Sequence, residues 1–503
     1  MAGPARDDSG APLLEALAET GAIGSTVRQL AERVERPRVD VERHLAALSV
    51  DGRVVRIGRG LWILRAFEQL DQRSDFVDPT AYNERFERED GCALGTYRGA
   101  ITSSDNGSAP VHRWWPYVQG YSAQFVAALL TASDLPRRAT VLDPFSGSGT
   151  TAVEVRRAGH RALGAEILPP AVLAARVKTR FELDPRHLRA GAARFLRRAR
   201  ARPAGAPPFL RETARHFAPP VLRALTQLRN ALPEDTTDVG RAVRVAFGRT
   251  LIPVSRLRRS PCLGYGGPEP AVLPDPFEEM AGAFGAMEAD LELLRSERDR
   301  WGAAPTIWQG DARALPFRRG SVDLAVTSPP YVNGMDYVMN YKLDLAWLGY
   351  ATSYRDLVAL RTAMVACDNL PRGATAEYLS PDRTPDPWLP EILRGIRANV
   401  ARKGTYRRDD VHGIVLRYFA DLLPVLHRVH ASLVPGGRFV LVVGDSLLAG
   451  TYVPGDLLLA RMGASVGFRI VSVEVARSRR SGQRRSFQLR ETVITLEKPR
   501  SAA

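Results

Sequence analysis

Two strings in this sequence carry residue types that could do chemistry. The first is Val141-Leu142-Asp143-Pro144-Phe145-Ser146-Gly147-Ser148-Gly149-Thr150-Thr151, which leads into the helical run AVEVRRAG. A strand that ends in a glycine-rich turn and opens a helix lets backbone approach a ligand closely. The free amides of such a helix N-terminus favour a carboxylate or phosphate. The second is Thr327-Ser328-Pro329-Pro330-Tyr331, at the end of the apolar run VDLAVT. Consecutive prolines each remove an N–H and lock φ, so after a buried strand they are costly unless backbone must be fixed there. A rigid row of acceptors suits an exocyclic amine, a poor nucleophile because its lone pair is conjugated into the ring. Acceptors for both amine hydrogens draw the nitrogen towards tetrahedral geometry and free the lone pair for in-line attack on an electrophile.

Two acids complete the set. Glu166 ends the strand-like HRALGAEI, about 20 residues beyond the glycine turn, where ribose hydroxyls are gripped in dinucleotide-type folds. Asp311 follows Gly310 at the end of TIWQGDA. A nicotinamide fingerprint is not matched, because SGSGTT lacks the third glycine, and no lysine follows the second glycine as a phosphate loop requires. The cysteines Cys92, Cys262 and Cys367 are scattered, with no metal-ligand spacing and no disulfide framework, which predicts no metal and a reducing cytoplasm.

Together DPFSGSGTT and SPPY resemble the DNA amino-methyltransferases, over roughly residues 110 to 180 and 305 to 498. The resemblance implies S-adenosylmethionine as cofactor. It puts Asp143, Phe145, Gly147 and Gly149 around the methionine part, with Pro144 and Thr150 in the same loop. Glu166 then meets the ribose and Asp311 the adenine amino group. Catalysis falls to Ser328, Pro329, Pro330 and Tyr331: the Ser328 hydroxyl and the Pro329 carbonyl accept from the target amine, and Tyr331 stacks on the extruded base. The continuation VNGMDYVMNYKLDLAWLGY is similar to one branch of these enzymes and makes Asn333, Asp336 and Tyr337 candidates for the base pocket. Upstream, His112-Arg113-Trp114-Trp115-Pro116-Tyr117 resembles a segment that closes over the methionine end, and Tyr117 is taken as a cofactor residue. Aromatics just before a helix equally serve a core, and Trp114 and Trp115 stay open between the two.

Serine as first letter of the four-residue motif goes with cytosine N4, and aspartate or asparagine with adenine N6. Ser328 therefore predicts a cytosine-N4 DNA methyltransferase. The alternatives are adenine N6, then an RNA amino-methyltransferase or a non-catalytic DNA-binding regulator. A cytosine-C5 enzyme would need a Pro-Cys nucleophile pair; Pro261-Cys262 offers one, without the rest of that family's signature.

The elements that must position these residues follow from periodicity. From about residue 111, apolar strand-like runs alternate with helical stretches, which predicts an α/β sheet covered on both faces. The resemblance sharpens this to a class I, Rossmann-like methyltransferase sheet. FRIVSVEV followed by RRSFQLRETVITLEK predicts a terminal antiparallel hairpin, and Pro435-Gly436-Gly437 is a structural turn. The chain divides into residues 1–66, a linker or covering segment 67–110, a cofactor-binding part 111–180, a helical insertion 181–300 and a catalytic part 301–503 interrupted at 351–412. Residues 1–66 show three helical stretches and then VVRIGRGLWIL, similar to a winged helix-turn-helix. The third helix would read DNA, and Gly58-Arg59-Gly60 would form the wing tip.

At 503 residues with 45% hydrophobic and 25% charged content, the chain is a multi-domain globular protein. No apolar run is long enough for a membrane span, and no secretory signal opens the chain, so a cytoplasmic protein is expected. A net charge of +15 favours a polyanionic partner. The partner expected is double-stranded DNA with the target base flipped out, alongside restriction or defence proteins. Basic clusters at 194–202, 256–259 and 477–485 are candidate phosphate contacts. By resemblance, the large insertion carries target recognition and 351–412 shares it.

Overall fold

The computed structural model describes residues 10–20, 25–57, 61–65, 79–99, 101–102, 106–117, 120–259, 262–265, 274–366, 370, 385–403, 410–480 and 488–500. Eight strands form the central sheet, in the spatial order Leu94–Thr96, Arg469–Arg480, Gln488–Glu497, Leu433–Gly444, Val322–Thr327, Thr140–Asp143, Arg161–Glu166 and Thr306–Gln309. The last five run parallel. Gln488–Glu497 is antiparallel to both neighbours, so the terminal hairpin inserts its second strand next to the parallel set. Apart from the short edge strand Leu94–Thr96, this is the class I methyltransferase sheet. From Thr140–Asp143 the chain steps out in one direction through two strands, then returns to the other side with Val322–Thr327. The crevice outside the carboxyl ends at such a reversal is where open α/β sheets bind ligands.

Alternating residues explain why both faces are covered. Leu142, Ala325, Phe439 and Leu441 join one core with the helices Leu389–Lys403, Val411–Ser432 and Gly455–Val466. Val141, Leu324, Val326, Val440 and Val442 point the other way, onto the helices Ala123–Ala132, Thr150–Arg157 and Pro169–Lys178. Successive residues of a strand face opposite sides, so strands apolar throughout demand two covered faces.

Residues 181–300 carry the helices Pro185–Arg200, Pro219–Ala231, Asp238–Thr250 and Pro276–Arg295, which share one core with Trp114, Trp115 and the helix Lys342–Trp347. Trp347 is buried between Phe217 (ring centroids 5.4 Å apart) and Phe247 (6.3 Å). The insertion thus grips the chain just beyond Ser-Pro-Pro-Tyr.

Of the two readings of residues 67–110, linker or covering segment, the described part covers the core. Pro79–Asp90 is a helix whose Tyr82 and Phe86 are buried in the main core, and Leu94–Thr96 pairs with Arg469–Arg480. Only two apolar residues four apart face the core, and the strand spans three residues, so neither leaves a periodic signal. At the amino end, the helices Ala11–Thr20, Val27–Arg33 and Arg38–Val50 pack with a three-stranded antiparallel sheet around their own core of Leu13, Leu17, Leu30, Val41, Leu45, Leu48 and Val54. Thr26 starts the second helix with a capping box to Gln29. Residues 58–60 lie outside the described ones. Among the described residues, no helix is long and apolar enough to cross a membrane.

Candidate active site

An open pocket of about 810 Å³ lies at the carboxyl ends of the reversed strands. Its walls include Tyr117, Asp143, Pro144, Phe145, Gly147, Thr150, Glu166, Asp311, Ser328, Pro330 and Tyr337. Residues from both motifs, almost two hundred positions apart, therefore share one cavity.

Asp143 does not simply face that cavity. Its buried carboxylate accepts hydrogen bonds from the Tyr121 hydroxyl (2.7 Å), Thr151 Oγ1 (2.6 Å), the Phe145 amide (3.1 Å) and Thr327 Oγ1 (2.7 Å). Burial pushes its pKa up against the opposing pull of these donors. The acid clamps the glycine turn, the following helix and the strand into Ser-Pro-Pro-Tyr together.

The two loop glycines serve different purposes. Gly147 takes φ +49°, and a Cβ there would lie 2.9 Å from the Tyr117 ring. Tyr117 in turn stacks on Tyr341 at 5.5 Å and 18° between planes, so an aromatic pair lies directly against the turn. Gly149, at φ +86°, meets the Ala175 backbone: its Cβ would be 2.9 Å from the Ala175 Cα. The second glycine brings two helices together rather than forming the pocket wall.

Glu166 accepts from the Gly147 amide (2.9 Å) and the Leu168 amide (2.8 Å). Burial raises its pKa to about 7, ahead of the opposing backbone hydrogen bonds. Behind the loop, the buried Lys178 ammonium donates to Ser148 Oγ (3.0 Å) and the Trp115 carbonyl (2.9 Å), and burial lowers its pKa to about 7. Asp311 sits at the pocket's lip, capping the turn through the Arg313 amide (2.9 Å) and ion-paired with the Arg313 guanidinium (2.7 Å).

Of the upstream aromatics, only Tyr117 reaches the pocket. Trp114 is buried and donates to Asp290 (2.8 Å), and Trp115 packs where a Cβ on Gly248 would lie 2.4 Å from it. Asp290, on the insertion helix Pro276–Arg295, also accepts from the Val111 amide (2.8 Å) and pairs with Arg113 (2.5 Å). One insertion carboxylate thus holds the segment that leads to Tyr117. Nothing local in the sequence around Asp290 signals this.

Around the second motif, Ser328 and Pro330 line the pocket, while Pro329 is buried and Tyr331 lies alongside. The Tyr331 hydroxyl donates to Glu491 on the last strand (2.6 Å), and the Ser328 hydroxyl reaches the same phenol oxygen. Its ring packs where a Gly444 Cβ would be 3.1 Å away, with the Arg479 guanidinium 5.8 Å from the ring centre. Glu491 is itself paired with Arg477. Of the three base-pocket candidates, Tyr337 lines the cavity. Asp336 caps its helix through the Met339 amide (2.9 Å) and pairs with Arg361 (2.9 Å). Asn333 is half-buried and stands outside the cavity walls.

The basic clusters are partly used internally. Arg259 pairs with Asp344, Arg200 lies over Phe277 (5.0 Å), and Arg479 donates to the Asp445 carbonyl (2.6 Å). Residues 481–487 and Pro261 lie outside the described residues, and Cys262 is exposed on a hairpin away from the pocket walls. Among the described residues, no group of three or more His, Cys, Asp or Glu is arranged to hold a metal.

Strand order and the place of this cavity give the chain the class I methyltransferase fold. The chain is similar to the type II methyltransferase M.BsoBI of Geobacillus stearothermophilus, at 22% identity over 80% of this chain and 88% of that protein. It is also similar to M.AvaI of Nostoc sp., at 23% identity over 86% of this chain and 96% of that one. No protein-family model matches the sequence. Solved structures overlap loosely: a methyltransferase from Methanosarcina mazei covers 73% of this chain and 95% of its own at 11% identity, with a TM-score of 0.26. Strand order, not that overlap, carries the fold.

Proposed function

We propose that this chain is a DNA methyltransferase that moves a methyl group from S-adenosylmethionine to an exocyclic amine, with cytosine N4 as target. The observation that carries it is the Asp143–Thr327 hydrogen bond, which seats Ser328 in the same cavity as the glycine turn. The donor set suits the cofactor: Gly147 takes a turn that leaves room for the Tyr117 ring, and the Glu166 and Asp311 carboxylates line the same pocket. When bound, the cofactor supplies an electrophilic methyl on a sulfonium.

The chain's own residues do the rest. Asp143, Pro144, Phe145, Gly147 and Thr150 hold the methionine end, Glu166 accepts from the ribose hydroxyls, and Asp311, steadied by Arg313, accepts from the adenine amine. Ser328 Oγ and the Pro329 carbonyl accept from the target amine, orienting its lone pair into the cavity. Tyr331, fixed at its hydroxyl by Glu491, is the stacking surface for a flipped base, with Tyr337 closing the pocket. The amino-terminal unit is read as a winged helix that adds DNA contact. Type II relatives make a role beside a restriction partner the natural biological setting.

Labelling tests the reading. The protein is incubated with tritiated S-adenosylmethionine and either duplex DNA or RNA, and the labelled nucleoside is identified after digestion. N4-methylcytosine supports the proposal, whereas N6-methyladenine moves the target to adenine. Label only in RNA, or DNA binding with no transfer, overturns it.

A further inference from the structure

The most exposed aromatics of the insertions gather on one face beside the pocket. The short helix Thr213–His216 and the residues before it place Arg211 over the Tyr354 ring (5.7 Å) and Arg215 over the Tyr265 ring (5.4 Å). Tyr265 is 54% exposed and Tyr354 38%, although tyrosine rings of an inserted core would ordinarily be covered. Met339 and Val358 are also exposed, so four of the seven large apolar side chains exposed among the described residues lie on the elements meeting here.

Positive charge predominates on this face. Among the described residues, none of Arg211, Arg215 and Lys342 makes a salt bridge, while Glu212 accepts from the Tyr354 hydroxyl at 3.4 Å and interacts with the Lys342 charge, and Asp356 lies in the first turn of the Tyr354 helix. The cluster's like charges act on each other: buried His216 is pushed down to about 4 by desolvation first and Lys342 next. Arg211, Arg215 and Lys342 leave this face predominantly positive, which makes it complementary to a polyanion.

The face is continuous with the active site. Lys342 begins the helix that follows Tyr337, a pocket wall, and the helix Tyr354–Ala363 runs from the Arg211–Tyr354 pair to Ala363, another wall. Arg259 of the adjacent hairpin is bound to the Asn340 carbonyl (3.0 Å) and paired with Asp344, which ties the Tyr265 strand to that chain. A ten-residue helix spans about 15 Å, the length of roughly four base-pair steps.

We propose that Arg211, Arg215 and Lys342, with Tyr265 and Tyr354, form the track that holds the duplex DNA backbone beside the flipped nucleotide. Arginine lying on an exposed tyrosine is pre-oriented, leaving its guanidinium edge to phosphate while the ring packs on sugar. This rests on the DNA methyltransferase reading and adds where the duplex lies.

Binding of the full-length protein to a duplex that it methylates is followed by fluorescence anisotropy across a salt series. The triple variant R211Q/R215Q/K342Q should bind more weakly, and its log–log salt slope should be shallower by about 2 to 3. S-adenosylmethionine binding by equilibrium dialysis should match wild type, and the charge-keeping variant R211K/R215K should restore the slope in the K342 background. An unchanged slope in a triple variant that still binds cofactor overturns the track while leaving the methyltransferase reading intact. Should the triple variant lose cofactor binding, the single variants Arg215→Gln and Lys342→Gln decide, each expected to lower the slope by about 0.9. A patch-dependent affinity for RNA in place of duplex DNA also overturns it. Absence of methyl transfer by wild type to any nucleic acid is the separate outcome that sinks the underlying reading.

Discussion

Thr327 Oγ1 donates to Asp143 Oδ1 across 2.7 Å, so the last residue of the strand leading into Ser-Pro-Pro-Tyr is fixed to the last residue of the strand leading into the glycine turn. Those strands are neighbours in the sheet, and their registered pairs Leu324–Val141 and Ala325–Leu142 hold the two carboxyl ends level. The side-chain bond carries that alignment past the last backbone pair, to the point where chemistry begins. Replacing Thr327 by valine keeps the shape and removes one donor from a buried carboxylate. Hydrogen bonds to a charged group contribute about 1.5–3 kcal/mol, so Thr327→Val should lose that much in urea unfolding. It should also lower kcat more than it raises the cofactor KM, since it loosens Ser328 rather than the turn. A variant as stable and as active as wild type removes the clamp from the account.

The two glycines of the turn should separate in experiment. Gly147→Ala drives a methyl into the Tyr117 ring at 2.9 Å and imposes a left-handed backbone on alanine. Gly149→Ala meets the Ala175 backbone instead. Non-glycine residues held in such conformations cost about 1–3 kcal/mol. Gly147→Ala is expected to weaken S-adenosylmethionine binding tenfold or more with a small shift in Tm, whereas Gly149→Ala should chiefly lower Tm. Removing the ring with Tyr117→Ala should partly restore binding to Gly147→Ala. Identical behaviour of the two glycine variants would contradict this division of labour.

What the sequence made legible, and what it left hidden, follows this same distinction between local and distant partners. The turn, the Ser-Pro-Pro-Tyr corner and the parallel sheet are written in short contiguous strings, because backbone conformation and strand burial are local demands. Their supports are not. Asp290, Glu491 and Tyr121 meet Trp114, Tyr331 and Asp143 only after folding, and each is an ordinary-looking residue in its own string. The aromatic run His112–Tyr117 stayed divided because its residues part ways: Trp114 and Trp115 are buried in the core, and Tyr117 packs against that core while lining the pocket. Arginine counts picked out the cluster holding Arg259, which is spent on Asp344, and passed over Arg215, which lies in none of the clusters and stacks on Tyr265 instead.

If Glu166 holds the ribose as proposed, cofactor affinity should depend on pH. In the structure described here burial sets its pKa at about 7, with the Gly147 and Leu168 amides and the nearby Asp143 charge as the smaller influences. Ribose hydroxyls donating to the carboxylate would favour the ionised form, so binding should release a proton. Affinity should then be flat above pH 7 and fall as pH drops below it, approaching tenfold per unit. The unliganded fold runs the other way: a carboxyl whose pKa is raised stabilises it fully below about 4.5, and that contribution fades as pH rises through 7. Lys178, also near 7, touches Ser148 in the same loop, so the control is Glu166→Gln. Isothermal titration across pH 5.5–8.5 should show the slope vanish in that variant. A slope that persists assigns the proton to Lys178.

Tyr331 offers the last separation, between ring and hydroxyl. The ring packs against Gly444 under Arg479, and the hydroxyl is spent on Glu491, which Arg477 neutralises. If the ring is the platform for the extruded base, Tyr331→Ala loses stacking of about 1–3 kcal/mol, a roughly 5- to 150-fold fall in kcat/KM for DNA. Tyr331→Phe keeps the ring and gives up only its tether, so most activity should remain, and cofactor binding should be unchanged in both. Glu491→Gln retains an acceptor for the phenol and should behave like Tyr331→Phe. Should Tyr331→Phe fall as far as Tyr331→Ala, the phenol oxygen shared with Ser328, not the ring face, is what the reaction uses.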